Sequence, residues 1–258
     1  MISLADYDKL KQIMEESPEK KELLSRLLAS HQMEISSISH ELRNPLTLVY
    51  STLQLIESQH PETTDFRYWS DLRSDIEYMK DLLETLSTYN NGDRLYLSSI
   101  DSSSFFRTAA ISFASSLIET DIQFVSDIEP NLPKISGDVM KLKEVLLNLF
   151  ANAKDAVLSS SFTNGTIPTI SFTVSQNDTA IHIEVKDNGC GISKEQLPHI
   201  FEPFVTTKQT GTGLGLPIVS RILAAHKGSI QVSSVQNVHT TFHITLPIQK
   251  NRKDKSCN

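Results

Sequence analysis

Hydrophobic residues recur every three or four positions along two stretches of the first 90 residues, and this spacing predicts two amphipathic helices. The first helix is predicted to begin at Ser17-Pro18-Glu19, a typical start with a serine cap and a proline at the first helical position. It is predicted to end near Ser58, and segment 58–65 is predicted to be a turn. The second helix is predicted to end at 90–93, where Asn-Asn-Gly-Asp is typical of a helix end followed by a linker. The apolar stripes are Ile35, Ile38, Leu42, Leu46, Val49, Leu53 and Ile56, then Phe66, Trp69, Leu72, Ile76, Met79, Leu83 and Leu86.

Two such helices joined by a short turn form a hairpin whose apolar face is left uncovered. A twofold dimer covers that face by pairing two hairpins into a four-helix bundle. The alternative is that the hairpin packs on the C-terminal part of its own chain. We predict the homodimer.

After residue 94 the pattern changes to short alternating strands separated by helices. A strand, a helix over 102–119 and a second strand are followed by a strong helix over 137–160. Two alternating strands (169–176 and 180–187), a glycine-containing loop (189–215), a helix and two closing strands complete the pattern. Mostly antiparallel strands without strict β-α-β alternation predict an α/β sandwich, so the whole chain is an α+β protein. The predicted buried side of the 137–160 helix is Leu142, Val145, Leu146, Leu149, Ala153, Ala156 and Val157.

Composition narrows the function classes. The formal net charge of −7 argues against a nucleic-acid partner, and the basic stretch 250–255 is interpreted as a solvated tail. No apolar run approaches the roughly 20 residues of a membrane-spanning helix, and the acidic N-terminus resembles no signal peptide. Only two cysteines occur, Cys190 and Cys257, and they are far apart and without metal-ligand spacing. A location in the reducing cytoplasm is therefore expected.

The first helix contains a histidine that its apolar pattern turns away from the hydrophobic side. His40 is therefore expected to face solvent, where a neutral imidazole is a nucleophile at pH 7. The neighbouring Glu41 could hydrogen-bond the other ring nitrogen, and Asn44 lies one turn further on the same face. Pro45 removes a backbone hydrogen bond just after the histidine and permits a bend. An exposed histidine on a long helix is usually only a surface residue, so this stretch alone does not decide the function.

Polar and glycine residues of the second half suggest a nucleotide site. Asn148 and Asn152 share one helix face, and an amide oxygen is a suitable Mg²⁺ ligand. Asp187 ends a strand, where its carboxylate could accept from the amino group of adenine. Gly189 and Gly191 would let the backbone approach a flat ring, although Asp-Asn-Gly is also an ordinary turn signal.

A second glycine cluster directly precedes a helix. Gly211, Gly213 and Gly215 could expose backbone N–H groups to phosphates at the positive end of that helix. The sequence is neither a Walker A loop nor a convincing dinucleotide-binding turn. Between the two glycine clusters, Thr206, Thr207 and Lys208 precede a loop whose glycine content favours a mobile lid. Lys208 could reach a terminal phosphate as a point charge.

Together these motifs resemble those of bacterial two-component sensor histidine kinases. SHELRNPLT resembles the H box, NLFANAKDA the N box, DNGCGIS the G1 box, FEPFVTTK the F box and GTGLGLPIV the G2 box. The resemblance covers roughly residues 25–248 and is closest to the sporulation-kinase and nitrogen-sensor branches. It implies a dimerisation and phosphoacceptor hairpin followed by an ATP-binding domain of the GHKL type.

The resemblance implies a role for each matching residue. His40 would be the phosphoacceptor, Glu41 its activating base and Asn44 the residue that orients water for dephosphorylation of the partner. Asn152 would coordinate Mg²⁺. The remaining residues would bind ATP: Asn148, Asp187, Gly189, Gly191, Thr207, Lys208, Gly211, Gly213 and Gly215.

The implied organisation has four segments: a helical lead-in (1–30), the phosphotransfer hairpin (31–92), the catalytic domain (93–250) and a tail (251–258). No receiver or sensory domain is recognised, so a separate response regulator is expected as partner, and a separate sensory protein is a further possibility. Lys227 stands where the family often has glycine. Two other functions remain open: a phosphorelay or scaffold dimer with an inactive ATPase domain, and a net phosphatase of the regulator.

Overall fold

The structure of the chain is a computed structural model that describes residues 13, 17–91, 95–162, 165–206, 208 and 211–248. Within the described helices, the side chains of residues 25, 28, 29, 31–36, 40 and 88–91 lie outside the description. The chain divides into two compact units, Met1–Asn91 and Gly92–Asn258. In the described residues, no helix combines the length and apolar character needed to cross a bilayer.

The first unit is a helical hairpin. Helix α1 (Pro18–Gln59) starts where the sequence predicts, because the Ser17 hydroxyl accepts hydrogen bonds from the N–H groups of Glu19 and Lys20. A short 3₁₀ helix (Pro61–Asp65) makes the turn, and helix α2 (Trp69–Asn91) returns along the first. The predicted hairpin is therefore confirmed.

A polar network links the two helices near the turn. Glu57 accepts a hydrogen bond from the indole N–H of Trp69 (2.9 Å) and pairs with Arg73 (3.2 Å). Arg73 also pairs with Glu77, which accepts a hydrogen bond from the hydroxyl of Tyr50. This network supplements the buried contact of Ile76 and fixes which faces of the helices meet.

Much of the apolar stripe of the hairpin is nevertheless exposed. About half of the surface of the residues Ile38 and Leu42 is accessible, and Val49, Leu72 and Met79 are exposed to a similar degree. A single hairpin therefore leaves a hydrophobic face open within the described first unit, as the sequence pattern predicts.

The described residues of the second unit form a sandwich of three α-helices on a five-stranded sheet. The strands are β1 (Ser98–Ile100), β2 (Gln123–Ile128), β3 (Ile135–Gly137), β4 (Thr169–Gln176), β5 (Ala180–Asp187), β6 (Ser229–Val235) and β7 (His239–Pro247). The α-helices are α3 (Ser102–Ser115), α4 (Val139–Leu158) and α5 (Gly215–Ala225), and a short 3₁₀ helix spans Leu197–His199. The order of the five-stranded sheet is β2-β4-β5-β7-β6; β2 and β4 are parallel and all other neighbours are antiparallel. A separate two-stranded sheet pairs β1 with β3.

The core of the second unit lies between the helices and one face of the sheet. Alternate residues of β4 and β5 are buried, as expected for a sheet covered on one side. Phe150 of α4 stacks on Phe113 of α3, with ring centroids 4.3 Å apart, and meets Phe172 of β4 edge-on. The α/β sandwich is confirmed.

Three details differ from the sequence prediction. The helix predicted over 102–119 ends at Ser115, and the short strand β3 was not predicted. Ala156, predicted to be buried, is half-buried. Phe150 was not among the residues predicted for the buried side of this helix, yet it lies at the centre of the core.

Lys227 adopts a left-handed backbone conformation. Its φ is +59°, two positions after Ala225, the last residue of α5, where the chain leaves the helix. Lys227 N–H donates to the carbonyl of Ala224, and Gly228 N–H donates to that of Leu223, which is the hydrogen-bond pattern of a Schellman C-cap. Glycine adopts this conformation without steric cost, so lysine here carries a strain that glycine would avoid.

Candidate functional site

Helix α4 presents one polar edge beside its buried apolar face. The carboxylate of Asp138 caps the helix by accepting from the N–H groups of Met140 and Lys141, so its first turn is fixed. Asn148, Asn152 and Asp155 follow at intervals of four and three residues, which places them on one side of the helix.

The Asn148 amide is oriented by its own helix. Its Nδ2 donates to the carbonyl of Glu144 (3.0 Å), and its Oδ1 lies beside Gly215, where a Cβ would approach to 2.8 Å. Gly215 is the first residue of α5, so the Asn148 side chain fills the space next to the start of that helix. A side chain at position 215 would force this amide to move.

Asp187 is buried at the end of β5. It shares the core-facing side of the strand with Ile183 and Val185, so its carboxyl group points toward the helices and only 3% of the residue is exposed. Burial raises the pKa of this carboxyl group to about 6, although N–H groups of Gly189 and Thr240 act in the opposite direction. Gly189 N–H donates to Oδ1 at 2.9 Å.

Gly189 is required by packing against helix α4. A Cβ there would lie 2.4 Å from the carbonyl carbon of Ala156 and 2.7 Å from the backbone nitrogen of Val157. The next residue, Cys190, donates its N–H to the carbonyl of Ala156 (3.2 Å). The close approach at Gly189 is therefore between the loop and the helix backbone, which brings Asp187 and the polar edge of α4 together.

The loop between the two glycine clusters is closed at its base. Phe204 N–H donates to the carbonyl of Gly213 (2.9 Å), and both residues have a φ of +66°. Inside this loop, Lys208 Nζ contacts Asn152 Oδ1 (2.9 Å) and Asp155 Oδ2 (2.6 Å). Thr207, predicted to contact the nucleotide, lies outside the described residues.

Helix α5 begins at the second glycine cluster, at Gly215. In the described part of the chain, no side chain caps its first turn, and the residue at the cap position is Leu214. The first-turn N–H groups of such a helix favour an anion. Because Pro217 carries no N–H, Gly215 and Leu216 supply the donors of this turn.

These elements border one cleft of about 820 Å³, within the size range of ligand sites. It brings together most of the predicted binding residues, namely Asn148, Asn152, Asp187, Gly191, Lys208, Gly211, Gly213 and Gly215. Gly189 does not line the cleft; it packs against the backbone of α4 at Ala156 and Val157. Thr206, which the sequence analysis named beside Thr207 and Lys208 without a role of its own, also lines the cleft. The sequence reasoning missed Asp155, Cys190, Gln196 and Thr240, which line it as well. The three-residue spacing from Asn152 was a signal that could have identified Asp155.

Whether the cleft can hold a metal ion depends on its amide oxygens. In the described residues, no cluster of three or more histidine, cysteine, aspartate or glutamate side chains could hold a metal ion. A Mg²⁺ ion that comes with a nucleotide needs fewer protein ligands, because phosphate oxygens and waters complete its shell. The oxygen of Asn152, which already contacts the ammonium of Lys208, is suited to a cation.

The histidine-containing stretch lies in the first unit, within the uninterrupted helix α1. Glu41, Asn44 and Pro45 are exposed, and the carboxylate of Glu41 accepts a hydrogen bond from the Ser37 hydroxyl (3.3 Å). Pro45 lies inside the helix and has no N–H to donate to the carbonyl of Glu41. The side chain of His40, predicted to face solvent, lies outside the described residues.

Two family models match the chain. Residues 30–95 match the His Kinase A (phospho-acceptor) domain, and residues 137–250 match the histidine kinase-, DNA gyrase B- and HSP90-like ATPase. The first match contains His40, and the second contains every predicted residue of the cleft.

Curated relatives and solved structures agree with both matches. The chain is 31% identical to the signal transduction histidine-protein kinase AtoS of Escherichia coli (strain K12), over 83% of this chain and 34% of AtoS. It is 31% identical to the sensory histidine kinase/phosphatase NtrB of Rhizobium leguminosarum bv. phaseoli, over 83% of this chain and 58% of NtrB. The structure of full-length ShkA in complex with AMPPNP matches 85% of this chain and 46% of ShkA, with a TM-score of 0.68 and 26% identity. The chain thus spans less than two thirds of each of these proteins.

Proposed function

Since the chain belongs to the two-component sensor histidine kinases, we propose that it uses ATP to phosphorylate His40 and then donates the phosphoryl group to an aspartate of a separate response regulator. The observation that carries this proposal is the cleft of the second unit, in which residues from the N, G1, F and G2 motifs line one cavity. The segment 31–92 would be the phosphotransfer domain and 93–250 the catalytic domain, with the lead-in 1–30 and the tail 251–258 outside them.

The cleft residues fit ATP. The buried Asp187 carboxylate has one oxygen engaged by Gly189 N–H, and its acceptor capacity suits the amino group of adenine. The N–H groups of Gly215 and Leu216 at the start of α5 would hold phosphate oxygens. Lys208 would supply a positive charge to the terminal phosphate. Asn152 would hold Mg²⁺, which neutralises phosphate charge during transfer.

The uncharged Asn148 supports a kinase over a simple ATPase. Its amide cannot take a proton from water, and its Nδ2 is already donated to the carbonyl of Glu144. A cleft without a carboxylate at this position would keep ATP intact until a better nucleophile arrives. That nucleophile would be the imidazole of His40, with Glu41 beside it in sequence to accept the ring proton.

A homodimer is part of the proposal. The exposed apolar residues Ile38, Leu42, Val49, Leu72 and Met79 belong to the stripes that a four-helix bundle buries. Pairing two hairpins would cover this face, which is unusually apolar for a free surface.

The test is autophosphorylation of the purified chain with γ-labelled ATP and Mg²⁺. We expect an acid-labile, alkali-stable label on the wild type and none on His40→Ala or Asn152→Ala, because one variant lacks the acceptor and the other the proposed metal ligand. Substitution of His60, an exposed histidine at the end of α1, is the matched control and should leave labelling intact. A label that persists on His40→Ala would overturn the assignment, and full labelling of a chain that sediments as a monomer would overturn the dimer.

The relay or scaffold alternative predicts a different result. A protein with an inactive ATPase domain would not bind ATP with Mg²⁺, yet would accept a phosphoryl group on His40 from a phosphorylated regulator. The intact set of cleft residues favours the kinase.

Phosphatase activity toward the regulator is a second proposed function. The exposed amide of Asn44 follows the histidine by one helical turn, where it could orient water toward a phosphorylated partner. The relative NtrB carries both activities in its name. We expect Asn44→Ala to slow regulator dephosphorylation at least tenfold while autophosphorylation stays within about twofold of the wild type. Equal dephosphorylation rates in both proteins would remove Asn44 from this role.

A further inference from the structure

One ammonium group joins two side chains of helix α4 in the nucleotide cleft. Lys208 Nζ lies 2.9 Å from Asn152 Oδ1 and 2.6 Å from Asp155 Oδ2. These are the distances of direct, charge-assisted hydrogen bonds. The two oxygens therefore converge on a single point that already holds a positive charge.

The helix makes this convergence a stable feature. Asn152 and Asp155 are three residues apart, so their side chains are neighbours on the helix surface. Ala153 and Val157, which alternate with them, are buried in the core and fix the rotation of the helix. Asp155 itself is half exposed, so its carboxylate is accessible from the cleft that it lines.

We propose that Asn152 and Asp155 form one cation position, and that Asp155 is a second protein ligand for the metal that accompanies the nucleotide. This inference rests on the proposed ATP-dependent function and extends it to a residue that the motif comparison did not single out. Lys208 is then the chain's own occupant of the position in the absence of metal.

The chemistry of the two groups fits a hard divalent cation. Mg²⁺ binds oxygen at about 2.1 Å and commonly uses one or two protein carboxylates together with phosphates. Each oxygen would need to move by less than about 1 Å from its distance to the ammonium. An amide and a carboxylate together hold such a cation more strongly than the amide alone.

Lys208 and a metal ion exclude each other at this position. Both side chains of the ion pair between Lys208 and Asp155 are exposed to solvent. The pairing therefore strengthens binding of the ammonium at this position by no more than about fivefold. That preference is weak enough for a metal–nucleotide complex to overcome. Once released, the same ammonium is free to contact a phosphate oxygen. Replacement of Lys208 by the metal ion would therefore bring two cations, the metal and the ammonium, to the nucleotide.

A different role for Asp155 would be to anchor Lys208 without contacting metal. The two roles differ in their effect on the Mg²⁺ enhancement, defined here as ADP affinity with Mg²⁺ divided by ADP affinity with a chelator. A metal ligand raises this ratio. An anchor changes both affinities together and leaves the ratio unaltered.

The experiment is calorimetric titration of the full chain with ADP under both conditions. We expect Asp155→Asn to lower the Mg²⁺ enhancement about tenfold or more, and Lys208→Gln to raise it by up to about fivefold because the competing ammonium is gone. Asp121→Asn makes the same charge change at an exposed site that does not line the cleft, and it should leave the ratio unchanged.

A spectroscopic measurement tests the contact directly. With Mn²⁺ and ADP bound to protein that carries aspartate ¹³C-labelled at the carboxyl carbon, electron–nuclear double resonance should detect a strong ¹³C coupling that Asp155→Asn abolishes. A wild type that binds ADP normally, without this coupling and with no loss of enhancement in Asp155→Asn, would overturn the inference alone. A wild type that binds no nucleotide under either condition would overturn the proposed function and this inference with it.

Discussion

Replacing Asp187 with asparagine is expected to stabilise the second unit at pH 8 and to weaken nucleotide binding by a hundredfold or more. Both effects have one cause: at pH 8 the fold holds a charged carboxylate at a position where only 3% of the residue is exposed to water. Burial raises its pKa to about 6, above the ordinary value of 3.8. The folded state therefore binds the Asp187 proton more tightly than the unfolded state does.

The sign of the pH dependence follows from this difference. The favourable contribution of a protonated Asp187 is fully present below about pH 4 and is lost as the pH rises through about 6. Above that pH, the charged group costs at most about 3 kcal/mol of unfolding free energy. Asparagine carries no such cost, and its Oδ1 can still accept from Gly189 N–H.

The same substitution removes the acceptor proposed for adenine. An amide that gives its oxygen to Gly189 presents an NH₂ group to the amino group of the base, so two donors face each other. Loss of a charge-assisted bond combined with this mismatch should weaken ADP binding by a hundredfold or more.

Denaturant unfolding of the second-unit transition between pH 4 and 8, together with ADP calorimetry at pH 8, checks both effects. Asp121→Asn is again the matched control, because its carboxylate is exposed. Asp187→Asn protein that binds ADP like the wild type would remove Asp187 from the adenine site. Lower stability than the wild type at pH 8 would show that hydrogen bonds to the carboxylate outweigh its burial.

Local patterns in the sequence were sufficient to predict an element when the cap residues and the apolar spacing that define it lie within its own segment. Helix α1 has a serine cap and an apolar stripe, and its observed limits agree with the predicted ones within a residue. The alternating patterns of β4 and β5 likewise reflect a sheet with one buried face. Such features depend on neighbours within a few positions, which a sequence displays directly.

Features that depend on contacts between residues far apart in the sequence could not be predicted from such local patterns. Strand β3 has only three residues, and its pairing with β1 defines it more than its own pattern does. Phe150 is buried because aromatic rings from α3 and β4 meet it. The spacing of Asp155 from Asn152 places both residues on one helix face, but the contact of its carboxylate with the ammonium of Lys208 is visible only in the structure.

Glycines present a related ambiguity. A glycine in a predicted ligand loop is consistent with close approach of a ligand or with close approach of another part of the chain. At Gly189 the structure identifies the second reason, since the neighbouring atoms belong to the backbone of α4.

Gly189→Ala is accordingly expected to be severely destabilising. The new Cβ would lie 2.4 Å from the carbonyl carbon of Ala156 and 2.5 Å from its oxygen, both part of a helix that cannot rotate away as a side chain can. Relief requires α4 to move relative to the loop after β5, against a core that includes Phe150. We expect a loss of about 3 kcal/mol or more in unfolding free energy.

The same movement should impair the nucleotide cleft. Asn152 is carried by α4 and Asp187 by β5, so a shift between these elements separates the proposed metal ligand from the proposed adenine acceptor. In the fraction that remains folded, ADP affinity should fall at least tenfold. Denaturant unfolding measures the first effect, and calorimetry at low temperature measures the second.

Gly211→Ala is the matched comparison for this prediction. Its Cβ would approach the Oγ1 of Thr206 to 2.5 Å and the Cβ of Lys208 to 3.0 Å. The first atom ends an exposed side chain that can change rotamer, and the second contact is relieved by a shift of a few tenths of an ångström. We therefore expect a stability loss below about 1 kcal/mol for Gly211→Ala. If both alanine variants were equally stable, the loop at Gly189 would have an alternative path, and its contact with Ala156 would not set the spacing between α4 and β5.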